Sequence, residues 1–127
     1  MGYKFYNPNP DDKFVGDCVI RAVSKITRQS WEETYLGVSM LGLVMHDMPS
    51  SDNVWGEYLY RRGYRKHVIP DTCPYCYTVR EFAYEHPNGL YLLKTSGHVI
   101  AVVNGDYYDT SDSGNEVPIY YWAKGEE

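Results

Sequence analysis

The sequence has no apolar run approaching the roughly 20 residues that a membrane-spanning helix requires. It has no basic surplus either: 12 Lys and Arg stand against 17 Asp and Glu, a formal charge of −5. Nucleic acid and membrane surfaces are therefore not expected partners. Cysteine is scarce, with three in 127 residues. An odd, small set does not make a disulfide framework, so free thiols are expected. The opening MGYKFYNPNP is aromatic and polar, unlike a secretory leader. Tyr6 stands where a myristoylation pattern needs Ser or Thr. The expected location is the cytoplasm. There is no repeat, linker or low-complexity tract, and the length suits one domain.

What the sequence does have is tyrosine, 14 in all, and an ordered change of pattern along the chain. Residues 1–15, with Pro8, Pro10 and the polar cluster Asn7, Asn9, Asp11 and Asp12, read as an arm rather than a helix. Asp17 is a good N-cap for a first helix with an apolar face of Val19, Ile20, Val23 and Ile26, ending at Arg28 and Gln29. Ser30 and Glu33 form a capping box that opens a second helix. Met40 to Met45 is an apolar stretch that Gly42 should interrupt and Pro49 should close. Ser51 caps a third helix to Arg62, with Gly63 as its stop.

Beyond it, Tyr64 to Ile69 suits a short strand, and Thr78 with Glu81 caps a fourth helix to about Glu85. Strands are then predicted at Leu90–Lys94, Val99–Val103, Asp106–Thr110 and Pro118–Trp122, with Asn104-Gly105 as a two-residue hairpin turn. Helices followed by an antiparallel meander define an α+β layout, with the N-terminal helices packed on a C-terminal antiparallel sheet.

The chemistry gathers at Cys18. It sits in the first turn of the first helix, where free backbone N–H groups and the helix dipole favour a thiolate and can hold an oxyanion. A nucleophilic thiol also needs a base, and the base needs an orienting group. His98, just before the strand Val99–Val103, is the candidate base. A two-residue turn places Val103 opposite Asp106, which makes Asp109 a diagonal neighbour of His98. A three-residue turn would give Asp112 that position instead. Taken singly, a Cys near a helix start and a His beside a strand are ordinary packing residues; the ordered set of Cys, His and Asp is what points to catalysis.

The segments GDCVIRAVSKITRQSWEETY and GHVIAVVNGDYYDTSDSG resemble a group of small papain-like cysteine peptidases of bacteria and phages. The resemblance runs from Asn7 to Trp122. It implies a minimal papain-like domain covering 1–127, with Cys18 as nucleophile, His98 as general base and then acid, and Asp109 as orienting group. The expected reaction is cleavage of an amide bond, in a peptide, an isopeptide or a cell-wall amide, with a peptide or protein substrate and with no metal or cofactor. Papain-like enzymes usually carry a Gln a few residues before the nucleophile as an oxyanion donor. This chain has none there, so Asn9 and the Cys18 backbone N–H are the expected donors. The missing Gln is also what a non-catalytic binding module of the same shape would show.

Cys73-Pro74-Tyr75-Cys76 resembles a glutaredoxin dithiol motif, but it lies mid-chain rather than after a first strand, so a plain turn is the expected reading. His67 and His86 are the nearest further ligands for a metal there, and their spacing fits no zinc pattern. Arg61, Arg62, Arg65 and Lys66 read as a solvated helix end. Trp31 and Trp55 are expected in the core, and Tyr120, Tyr121 and Trp122 at a groove border.

Overall fold

A computed structural model describes residues 2–72 and 74–125. It is an α+β protein with four helices and a mixed six-stranded sheet in the order β1-β5-β4-β3-β6-β2. The elements are β1 (Gly2–Phe5), α1 (Cys18–Thr27), α2 (Trp31–Met45), α3 (Asp52–Tyr60), β2 (Tyr64–Val68), α4 (Val79–Glu85), β3 (Leu90–Lys94), β4 (Val99–Val103), β5 (Asp106–Asp109) and β6 (Tyr120–Lys124).

Two points correct the sequence reading. The N-terminal arm holds a strand, and β1 pairs with β5 in parallel, so the sheet is not purely antiparallel. A strand of four residues next to Pro8 and Pro10 has too little alternation to announce itself. The sheet is also not a simple meander. β3, β4 and β5 follow one another as hairpins, but β6 crosses back to pair with β3 on one side and β2 on the other.

The caps are as the sequence requires in α2, α3 and α4. Ser30 with Glu33 and Thr78 with Glu81 form reciprocal capping boxes, and Ser51 accepts from the Asn53 N–H. The first helix differs. Asp17 occupies the N-cap position, but its carboxylate makes no cap hydrogen bond. That carboxylate is spent on another partner, described below.

α1 buries Ile20, Ala22, Val23 and Ile26 against Leu92, Val99 and Ala101 of the sheet, with Val38 of α2 and Trp55 and Leu59 of α3 behind them. α4 packs Val79, Phe82 and Ala83 on the opposite face, against Leu93, Ile100, Val102 and Tyr107. The sheet is thus covered on both faces, which explains why Val99–Val103 reads as a continuous apolar run. The hairpin turn is the two-residue one: Val103 pairs with Asp106, and Asn104 and Gly105 both have positive φ.

α2 runs straight through Gly42 instead of breaking there. It ends at His46, a left-handed C-cap with φ 56°. Its inner face is Thr34, Val38, Leu41 and Gly42, while Leu36, Met40, Leu43 and Val44 face outward and are exposed. Gly42 is retained because the chain after the helix folds back on it: a Cβ there would lie 2.8 Å from the Asp47 carbonyl oxygen. Gly42→Ala should therefore destabilise the fold even though alanine gains about 1 kcal/mol of helix propensity. A net loss of about 1–3 kcal/mol is expected from overpacking, read as a lower urea midpoint with an unchanged m-value. A gain in stability would show that the 47–49 segment yields freely.

Candidate active site

The N-terminus of α1 abuts the end of the β4–β5 hairpin, and that contact brings Cys18, His98 and Asp109 together. His98 precedes β4, so its ring lies outside the ladder and is free to turn toward the helix. Its Nε2 lies 2.6 Å from Asp109 Oδ2. Nδ1 is then the nitrogen left for Cys18, whose thiol sits near enough to the His98 ring and the Val99 backbone N–H to be influenced by both. Asp109 is 1% exposed, and its carboxylate is fully engaged. Oδ2 accepts from His98 and from Ser113 Oγ at 2.8 Å; Oδ1 accepts from Arg21 Nη2 at 3.0 Å and the Thr110 N–H at 2.7 Å.

Arg21, Asp17, Ser113 and Trp31 also belong to the site, though the sequence gives none of them a part in it. Arg21 is 6% exposed. Its guanidinium reaches Asp17 Oδ1 at 2.5 Å and Asp109 Oδ1 at 3.0 Å. Asp17 Oδ2 in turn accepts from Trp31 Nε1 at 2.8 Å. The polar chain therefore runs from Trp31 through Asp17, Arg21, Asp109 and His98 to Cys18. A signal for it was present: Asp17 and Arg21 stand four apart on one helix face, and an Arg among Ile20, Ala22 and Val23 is buried only if paired.

The charges tune one another. Burial would push the Cys18 thiol up, but the His98 hydrogen bond and charge, the Val99 N–H and the Arg21 charge outweigh it and hold the thiol below its ordinary value. His98 is pushed up to about 10, first by its hydrogen bond to Asp109 and then by Cys18, against the opposing effect of burial. Asp109 stays below the usual carboxylate range: burial acts upward, and hydrogen bonds from His98 and Ser113 more than reverse it. The arrangement favours a thiolate–imidazolium pair.

Asp112 is not part of this. It accepts from Tyr107 Oη at 2.6 Å and the Gly114 N–H at 2.9 Å, with Arg80 at 3.5 Å. The observed two-residue turn gives the place beside His98 to Asp109. Asn9 is not brought to Cys18 either. Its Oδ1 accepts from the Asp11 and Lys13 N–H groups and closes the 9–13 loop. It lines a separate depression beyond Val15 and Trp31. A short amide side chain committed to an Asx-type turn is held by that turn. The Cys18 backbone N–H fits its expected place in the first turn of α1, where no side chain caps the helix.

Cys18 and His98 open into a cleft of about 600 Å³. Val19, Ile20, Trp31, Tyr35, Met48, Pro49 and Trp55 make it largely apolar. Lys94 and Asp52 also line it; they approach to 3.5 Å, and Tyr120 Oη donates to Asp52 at 3.0 Å. Trp31 is thus half-buried, packed against the core and walling the cleft at once, while Trp55 is fully buried. Tyr121 and Trp122 do not line this cleft. Cys73 lies outside the described residues, whereas Cys76 is described and exposed. His67 stacks on Tyr121 at 5.0 Å and His86 on Phe82 at 3.7 Å between ring centroids. No helix among the described residues is long and apolar enough to cross a membrane. No family model matches the chain, and neither a curated protein nor a solved structure matches it.

Arg21→Met should cost about 3–5 kcal/mol, because it strands the Asp17 and Asp109 carboxylates in the interior. Arg21→Lys keeps the charge but not the fork that spans both carboxylates, and should recover only part of that stability. Separately, the pH dependence of Cys18 alkylation by iodoacetamide should move to higher pH in His98→Ala, since the groups that lower the thiol pKa most are lost. An unmoved profile would mean that the imidazole does not act on the thiol.

Proposed function

We propose that this chain is a papain-like thiol hydrolase that cleaves an amide bond in a peptide or protein. The observation that carries the proposal is the grouping of Cys18, at a helix N-terminus, with His98, itself hydrogen-bonded to Asp109, on one largely apolar cleft. In this reading the Cys18 thiolate attacks the scissile carbonyl carbon. The developing oxyanion is met by the Cys18 N–H and the positive end of α1. The imidazolium of His98 gives its proton to the leaving amine, and the acyl group remains on Cys18 as a thioester. Neutral His98 then takes a proton from water, hydroxide equivalent adds to the thioester, and the acid is released with the thiolate restored. Asp109 keeps the ring in place and stabilises its charged form. Arg21 and Ser113 hold Asp109 and act as positioning residues.

Lys94, Asp52 and Ser50 give the largely apolar cleft a polar stretch. An extended substrate segment with apolar side chains beside the scissile bond fits such a surface.

The activity should follow a bell in pH. On the acid side it falls as the depressed Cys18 thiol takes up a proton. On the alkaline side it falls near pH 10, as His98 loses the proton that it must deliver. The test is kcat/KM on a mixture of internally quenched peptides. Asp109→Asn should keep the fold, lower turnover by about two to four orders of magnitude and draw the alkaline limb to lower pH. Asp112→Asn should leave turnover near its original level. Equal effects of the two substitutions, or a Cys18→Ala protein that still cleaves, would contradict the proposal.

A further inference from the structure

β2 is an edge of the sheet. It pairs with β6 on one side, and no described strand pairs with the other. One row of its backbone N–H and C=O groups therefore has no ladder partner. Tyr64 turns into the core, but Arg65, Lys66, His67 and Val68 are exposed. Strand alternation puts Arg65 and His67 on one face of the sheet and Lys66 on the other.

The face bearing Arg65 and His67 is the one on which α4 packs. α4 packs over the β3–β4–β5 part of that face, and Phe82 and His86 reach Tyr121 of β6. A groove of about 870 Å³ lies there, and Arg28, Arg65, Lys124 and Tyr121 are among its walls. Among the described residues, no Asp or Glu lines it. The cations around it are not neutralised from within the described residues. Among the described residues, the Arg28 guanidinium has no hydrogen-bond or ion-pair partner. Arg65 donates to the Tyr60 and Tyr64 carbonyls, and Lys124 to the Arg62 carbonyl, with no carboxylate among them. In a chain with more acidic than basic residues, this segregation leaves a positive surface beside an open strand edge.

We propose that β2 is a docking edge for an extended acidic polypeptide. The added segment pairs its backbone with the free side of β2 and sets Asp or Glu side chains against Arg65 and the groove. Main-chain pairing supplies the register, and the charge complementarity selects the partner. The same charges oppose pairing with the β2 edge of a second copy, because Arg65 and Lys66 would face their own kind. The proposal does not depend on catalysis at Cys18.

The test is fluorescence anisotropy with the full-length protein and a labelled octapeptide of alternating Glu and Thr. Saturable binding is expected at about 20 mM salt, weakening strongly toward about 300 mM. The exposed double substitution Arg65→Glu and Lys66→Glu should weaken it at least about tenfold, with the circular dichroism spectrum unchanged. A peptide of the same sequence N-methylated at every residue keeps its charge but loses its amide donors, and should also bind at least about tenfold more weakly. Three results would overturn the proposal: no binding of the octapeptide, indifference to N-methylation, or tighter binding of an eight-residue oligothymidylate.

Discussion

The double contact of Arg21 with Asp17 and Asp109 is the interaction on which the rest of the site depends. It ties the first turn of α1 to the last residue of β5, across 88 residues of chain. Three buried charges are tolerable there only because each is paired and hydrogen-bonded. Their arrangement fixes the height at which the helix N-terminus meets the hairpin, and so the separation of the Cys18 thiol from the His98 ring. It also explains why Asp17 sits at an N-cap position without capping: its two oxygens serve Arg21 and Trp31. The first-turn N–H groups are thereby left to whatever enters the cleft.

The same network divides labour between orientation and charge. Asp109 receives four donors, and only one of them is His98. A carboxylate held from several sides does not need to move when the imidazole gains or loses its proton, which is the condition for steady orientation of a catalytic base. The apolar walls of the cleft, from Val19 and Ile20 to Met48 and Pro49, keep the thiol and imidazole in surroundings where each hydrogen bond counts for more.

Much of this was legible in the sequence, for reasons that can be named. Local signals were decisive where the physics is local. Ser30 with Glu33 and Thr78 with Glu81 mark helix starts because both halves of each capping box lie within one turn. Asn104-Gly105 fixed the hairpin register, and that register singled out Asp109 over Asp112. What escaped was non-local or carried by too few residues. β1 is four residues long and is defined by its parallel partner β5, not by its own pattern. Gly42 reads as a breaker until the returning 47–49 segment is seen against it. Asn9 looked like an available amide because sequence does not show that its oxygen closes a turn with Asp11 and Lys13. The part of Arg21 was half visible: its spacing from Asp17 is local, while its reach to Asp109 is not.

The proposed reaction passes through a covalent acyl group at Cys18. The most direct measurement is intact-mass analysis of protein mixed with a peptide thioester and quenched in acid at successive times. The account requires a mass gain equal to the acyl group, located on Cys18, that rises and decays as free acid appears, and that is absent in Cys18→Ala. Product without any adduct, or an adduct that persists unchanged in Cys18→Ala, would contradict it.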